Sequence, residues 1–89
     1  MKFLLSFTPT AETSLKELKK SPNLEKCFKA VSKALRFLQE NPRHPSLETH
    51  EFYSFKGPNG KKVFEAYRIF FFYGKQRWEI IIIAITPHP

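Results

Sequence analysis

The sequence predicts an α+β fold: an N-terminal strand, a helical hairpin, and three further strands, with the hairpin packed on one face of a mostly antiparallel sheet. Three observations carry this expectation. Lys62 to Thr86 is almost entirely β-branched and aromatic, a composition that suits a pleated, half-buried surface. Leu24, Cys27, Phe28, Val31, Leu35 and Leu38 recur at the spacing of one helical face. Thr8-Pro9 and Ser21-Pro22 each offer a cap residue followed by proline at the first helical position.

Taken in order, Lys2 to Phe7 is a short apolar strand. Its apolar part is too short for a signal peptide and lacks a small-residue cleavage site. Thr8-Pro9 opens a first helix with Ala11, Leu15 and Leu18 on one face, and Ser21-Pro22 ends it and opens the second. On the second helix Lys26, Lys29, Lys33 and Arg36 lie opposite the apolar stripe, as either a solvated face or a phosphate-contacting one. Cys27 falls on the apolar side, where a small hydrophobe belongs. The closely spaced prolines of Asn41 to Ser46 exclude a regular element. Thr49 to Phe55 is a strand, and Gly57-Pro58-Asn59-Gly60 a turn whose glycines and asparagine tolerate positive φ. Gly74 with its polar neighbours marks a second reversal. The run Ile80 to Ile85 does not alternate, which predicts a strand covered on both faces or lying at the sheet centre.

The 89 residues make one domain, 1–89, with 42% hydrophobic content. A chain of this size buries on the order of 60–65% of its unfolded surface, enough for one core. A single cysteine excludes an internal disulfide framework and fits a reducing cytoplasm. Three histidines and one cysteine without close-spaced pairs argue against a structural zinc site. No apolar run approaches the roughly 18 residues of a membrane span. The formal charge of +7 favours polyanionic partners, nucleic acid above all.

No phosphate-cradling glycine loop, nucleophile elbow or metal-ligand pair is present. The remaining chemistry is a scatter of cationic and imidazole groups: Arg43, His44, His50, Lys56, Lys61, Lys62, Arg68 and His88, with Glu51, Glu65, Tyr67 and Tyr73 as acid–base partners. Such groups suit metal-free cleavage of RNA, in which the ribose 2′-hydroxyl attacks the adjacent phosphorus. Fixed cations stabilise the charge on the phosphoryl oxygens, and a histidine moves the protons. Tyr67, Tyr73 or Phe70 can stack an unpaired base. Arg68 stands out among Tyr67, Ile69 and Phe70, because burying a guanidinium without a partner is costly. Its partner is an anion from outside, water, or a carboxylate such as Glu65 or Glu79.

The order of elements, Phe55-Lys56-Gly57, Tyr67-Arg68-Ile69 and the closing Ile-Thr-Pro-His-Pro resemble the RelE/ParE superfamily of small bacterial toxins. Asn41 to Leu47 and Lys56-Gly57-Pro58-Asn59-Gly60 are similar to one RelE-like branch, and the likeness spans essentially the whole chain. The resemblance implies a cytoplasmic, metal-independent mRNA endonuclease that needs no cofactor, works in the ribosomal A site and is neutralised by an antitoxin. It implies that Arg68 stabilises the phosphate, that His88 transfers protons, and that Lys56 contacts RNA. Arg43, Lys62 and Tyr67 complete the expected RNA-binding set. ParE-like members instead bind DNA gyrase, and a degenerate toxin would only bind antitoxin.

The chain departs from that branch in one respect. Relatives carry a turn-rich segment between Phe-Glu-Ala-Tyr and Tyr-Arg-Ile-Phe, whereas here Phe64-Glu65-Ala66-Tyr67 runs straight into Arg68-Ile69-Phe70. This predicts one fused strand from Lys62 to Tyr73. Simple hairpin pairing then sets Arg68 near Thr49 and Ile83, and His88 near Val63, separating the two catalytic candidates by roughly 15 Å. A tight turn at Glu65–Tyr67 would reunite them, against the local chemistry.

Overall fold

The computed structural model describes residues 2–86. Strand β1 (Leu4–Phe7) leads into helix α1 (Pro9–Lys20), and a single 3₁₀ turn at Pro22–Leu24 leads into α2 (Glu25–Glu40). Strands β2 (His50–Lys56), β3 (Lys62–Ala66), β4 (Ile69–Tyr73) and β5 (Glu79–Ile85) follow. They form one five-stranded sheet in the order β1-β5-β4-β3-β2, antiparallel except where β1 pairs parallel with β5. Both helices pack on the same face, so the α+β class stands.

The local signals explain the elements. Thr8 caps α1, its hydroxyl accepting from the Ala11 amide at 3.2 Å, and Pro9 opens the helix. The same hydroxyl lies 3.3 Å from the Ile83 carbonyl, to which it donates, tying the helix start to the sheet. Val31, Ala34, Leu35 and Leu38 of α2 are buried against Ile69, Phe71, Ile80, Ile82 and Ile85, while Leu24, Cys27 and Phe28 close the edge of this core. Lys26, Lys29, Lys33 and Arg36 are all exposed. The turn before β3 has Asn59 at φ 58° and Gly60 at φ 73°, as its composition requires. The proline-rich connection does hold one regular turn, a 3₁₀ turn at Pro45–Leu47 capped by His44. Three residues need no helix-length run of amide donors, so proline at the first position does no harm.

Ser21 makes no side-chain capping bond and α2 starts only at Glu25, so the second cap-then-proline signal opens the 3₁₀ turn and not the helix itself. The fused-strand expectation also needs correction. The fused strand Lys62–Tyr73 does not form: Tyr67 and Arg68 make a two-residue turn, with Ala66 paired to Ile69 and Phe64 to Phe71. Tyr67 adopts φ 60°, a value that glycine usually supplies in such turns. The reason lies in side-chain parity. In a continuous strand Glu65 would share a face with Ile69 and Phe71. The turn shifts the parity, so that Phe64 and Ala66 join Ile69 and Phe71 on the core face while Glu65 pairs with Phe70 on the other. Positive φ costs about 1–2 kcal/mol, whereas burying each of Ile69 and Phe71 returns about 1.5–3 kcal/mol.

Of the two alternatives for the isoleucine strand, an interior position holds, since β5 lies between β1 and β4, while coverage of both faces does not. Ile80, Ile82 and Ile85 are buried in the core, whereas Ile81, Ile83 and Ala84 are only half-buried. Phe70 pairs with Ala84 but Phe71 with Ile82, so Ile83 is an extra residue in a bulge. The bulge, with β5 lying inside the sheet rather than at its edge, explains a run without simple alternation.

Candidate nucleic-acid interface

The hairpin turn presents Tyr67 and Arg68 together. The Arg68 guanidinium carbon sits 4.9 Å from the centre of the Tyr67 ring, and Nη1 donates to the Cys27 thiol at 2.9 Å. The side chain is therefore half-buried against α2. Glu65 and Glu79 have other partners: Glu65 Oε1 lies 3.2 Å from His50 Nε2, and Glu79 Oε1 accepts from the Gln76 amide at 3.3 Å. The Arg68 carbonyl accepts from the Thr86 amide at 3.0 Å. Arg68 thus neighbours the end of β5, not Thr49 and Ile83 as a fused strand would require. His88, two positions beyond Thr86 in the sequence, lies outside the described residues.

Lys56 and Lys62 are cross-strand partners at the other end of β3, both exposed. Lys62 and Tyr67 are five residues apart in sequence, which along a strand is roughly 16 Å. The expected site is therefore split: Arg68 and Tyr67 at one end of the β3–β4 hairpin, Lys56 and Lys62 at the other. Beside Lys62, Lys61 Nζ donates to the Tyr73 carbonyl at 2.7 Å and lies 6.0 Å from the Phe72 ring centre.

Arg43 follows α2, is exposed, and borders two neighbouring grooves that also share Tyr73. The first, about 380 Å³, brings Arg43, His44, His50, Glu51 and Phe64 together with Tyr73. His44 stacks on Phe37 with ring centres 4.4 Å apart, and its Nδ1 accepts from the Ser46 amide at 3.1 Å. That bond places the proton of the neutral ring on Nε2. His50 meets the Glu48 carbonyl at Nδ1 and Glu65 at Nε2, so both its nitrogens face acceptors.

The second groove, about 430 Å³, lies between Phe3, Tyr73 and Trp78, with Glu40, Asn41 and Arg43 on its wall. Sequence reasoning missed Trp78. The available signal was the chain's one tryptophan placed directly after Lys75 and Arg77 in a turn. In the loop of residues 74–78, Gly74 packs against the Glu79 side chain, whose carboxylate would have to swing aside for a Cβ there. Trp78 itself takes φ 66° and remains 38% exposed.

Comparison with protein-family models, curated proteins and solved structures gives no match to this chain.

Proposed function

We propose that this chain is the toxin of a toxin–antitoxin pair, a metal-independent endoribonuclease that cleaves mRNA at the ribosome through attack of the ribose 2′-hydroxyl. The observation that supports it best is the Thr86–Arg68 backbone bond, which brings the residue two positions before His88 in the sequence beside the arginine. In this reading Arg68 stabilises the developing phosphoryl charge and His88 transfers protons. Tyr67 stacks a base beside the scissile phosphate, while Arg43, Lys56 and Lys62 hold RNA further along the hairpin. A co-expressed antitoxin keeps the activity in check. The purified protein should cleave mRNA in a translating extract, and Arg68→Ala and His88→Ala should each abolish cleavage. Undiminished cleavage by both variants overturns the assignment.

A second reading, a protein-binding toxin without nuclease activity, draws on a groove between the sheet and the start of α1. Phe52, Phe55, Phe70, Ile83 and Ala84, together with Thr10 of α1, line this apolar groove of about 440 Å³, with Phe55 52% exposed. Exposed apolar surface of this kind suits a protein partner, including gyrase or an antitoxin. Growth arrest with intact mRNA and inhibited supercoiling selects a gyrase inhibitor; no arrest at all selects a degenerate, antitoxin-binding form.

A further inference from the structure

We propose that the groove between Phe3, Tyr73 and Trp78 is a nucleobase pocket that seats an unpaired base of single-stranded RNA away from the Arg68 turn. The inference rests on the RNA-directed reading above for the origin of its ligand, but the pocket is argued from its own construction.

Three separate segments build it, and backbone bonds fix each to the next. The Phe3 amide donates to the Gln39 carbonyl at 2.7 Å, joining the strand start to the end of α2. The Leu4 amide donates to the Trp78 carbonyl at 2.7 Å, joining the same strand to the β4–β5 loop. Gly74 and Glu79 close that loop with an amide-to-carbonyl bond of 2.9 Å. The aromatic walls are therefore in place before a ligand arrives. Phe3 meets Trp78 edge-on at 5.0 Å and Tyr73 at 6.4 Å between ring centres.

The volume, about 430 Å³, exceeds what a flat heteroaromatic ring needs and leaves room for its sugar. The polar groups select the same class of ligand. Glu40 on the wall disfavours a phosphate inside the pocket but can accept from an exocyclic amino group. Asn41 Oδ1 already accepts from the Arg43 amide at 3.0 Å, so its side-chain nitrogen supplies donors to a base edge. Arg43 is exposed at the rim, where the phosphate of a seated nucleotide would lie, and Lys75 and Arg77 are exposed on the adjoining loop. Arg77 lies 5.5 Å from the Trp78 ring centre, and a guanidinium so placed can also stack on a base. Trp78 holds φ 66°, a left-handed conformation that a bulky residue rarely takes, so its ring is set against Phe3 at some backbone cost.

Trp78 is the chain's one tryptophan, so its fluorescence reports on this pocket alone. A short single-stranded DNA oligonucleotide, which has no 2′-hydroxyl and cannot be cleaved by the proposed route, should quench it saturably. Arg43→Ala should weaken that binding and make the dependence of log K on log salt shallower by about 0.7. Loss of stacking in Trp78→Ala, followed by anisotropy of a labelled oligonucleotide, should weaken it about tenfold. Glu40→Gln should reduce any preference for AMP and CMP over UMP. Unchanged emission, or equal quenching by an acidic peptide, overturns the pocket. Wild-type affinity in both Arg43→Ala and Trp78→Ala does so as well. The two proposals separate cleanly: quenching without mRNA cleavage keeps the pocket and removes the nuclease, and cleavage without quenching does the reverse.

Discussion

The Thr86 amide donates to the Arg68 carbonyl at 3.0 Å, closing the end of β5 onto the turn between β3 and β4. That bond makes Arg68 a neighbour of the residue that follows β5. It follows from the two-residue turn, which returns β4 alongside β3 and lets β5 run back beside β4 to reach Arg68.

If Arg68 faces a scissile phosphate, Arg68→Lys should not restore the activity lost in Arg68→Ala, because lysine lacks the planar fork of donors. Loss of a proton-transferring His88 should lower the cleavage rate about 10²- to 10⁴-fold. Single-turnover assays on a defined RNA measure both effects.

Tyr67 holds φ 60° without being glycine. Tyr67→Gly should relieve about 1–2 kcal/mol of strain while giving up about 0.5–1 kcal/mol of ring contact with Arg68. Urea unfolding should show a small net gain in stability, and RNA binding should weaken as the stacking ring is lost. Tyr67→Pro, which fixes φ near −65°, should cost more than about 1 kcal/mol.

Thr8 both caps α1 and donates to the Ile83 carbonyl. Thr8→Ala should destabilise the protein by about 1–2 kcal/mol, whereas Thr8→Ser should retain most of that. Thermal unfolding of the two variants makes the comparison.

The bulge at Ile83 assigns neighbouring isoleucines to different faces. Ile82→Ala should cost about 2–5 kcal/mol, and Ile83→Ala roughly half of that or less. Equal losses, read as denaturant midpoints at unchanged m, would contradict the register.

Much of this architecture was legible because its signals are local. Thr8-Pro9, Ser21-Pro22 and Gly57 to Gly60 restrict the backbone wherever they occur, and the stripe from Leu24 to Leu38 needs only an apolar surface to face. The turn at Tyr67-Arg68 was not legible from turn chemistry, since neither residue favours it. A subtler sign was present: Phe64 and Ala66 are out of step with Ile69, Phe71 and Tyr73 unless two residues intervene. Trp78 escaped notice for another reason. Its pocket needs Phe3 and Asn41, which are far away in the chain, so no window of sequence contains it.

The sequence by itself determined two helices, the first capped by Thr8, a β-rich second half and a strongly basic chain, all consequences of residue type and short-range spacing. Only the tertiary structure decided that β3 and β4 are separate strands, and that Arg68 meets the end of β5 while Trp78 meets the start of β1. Those outcomes depend on which apolar side chains can share one face, a competition between a strained turn and a buried core that is settled only when the whole sheet assembles.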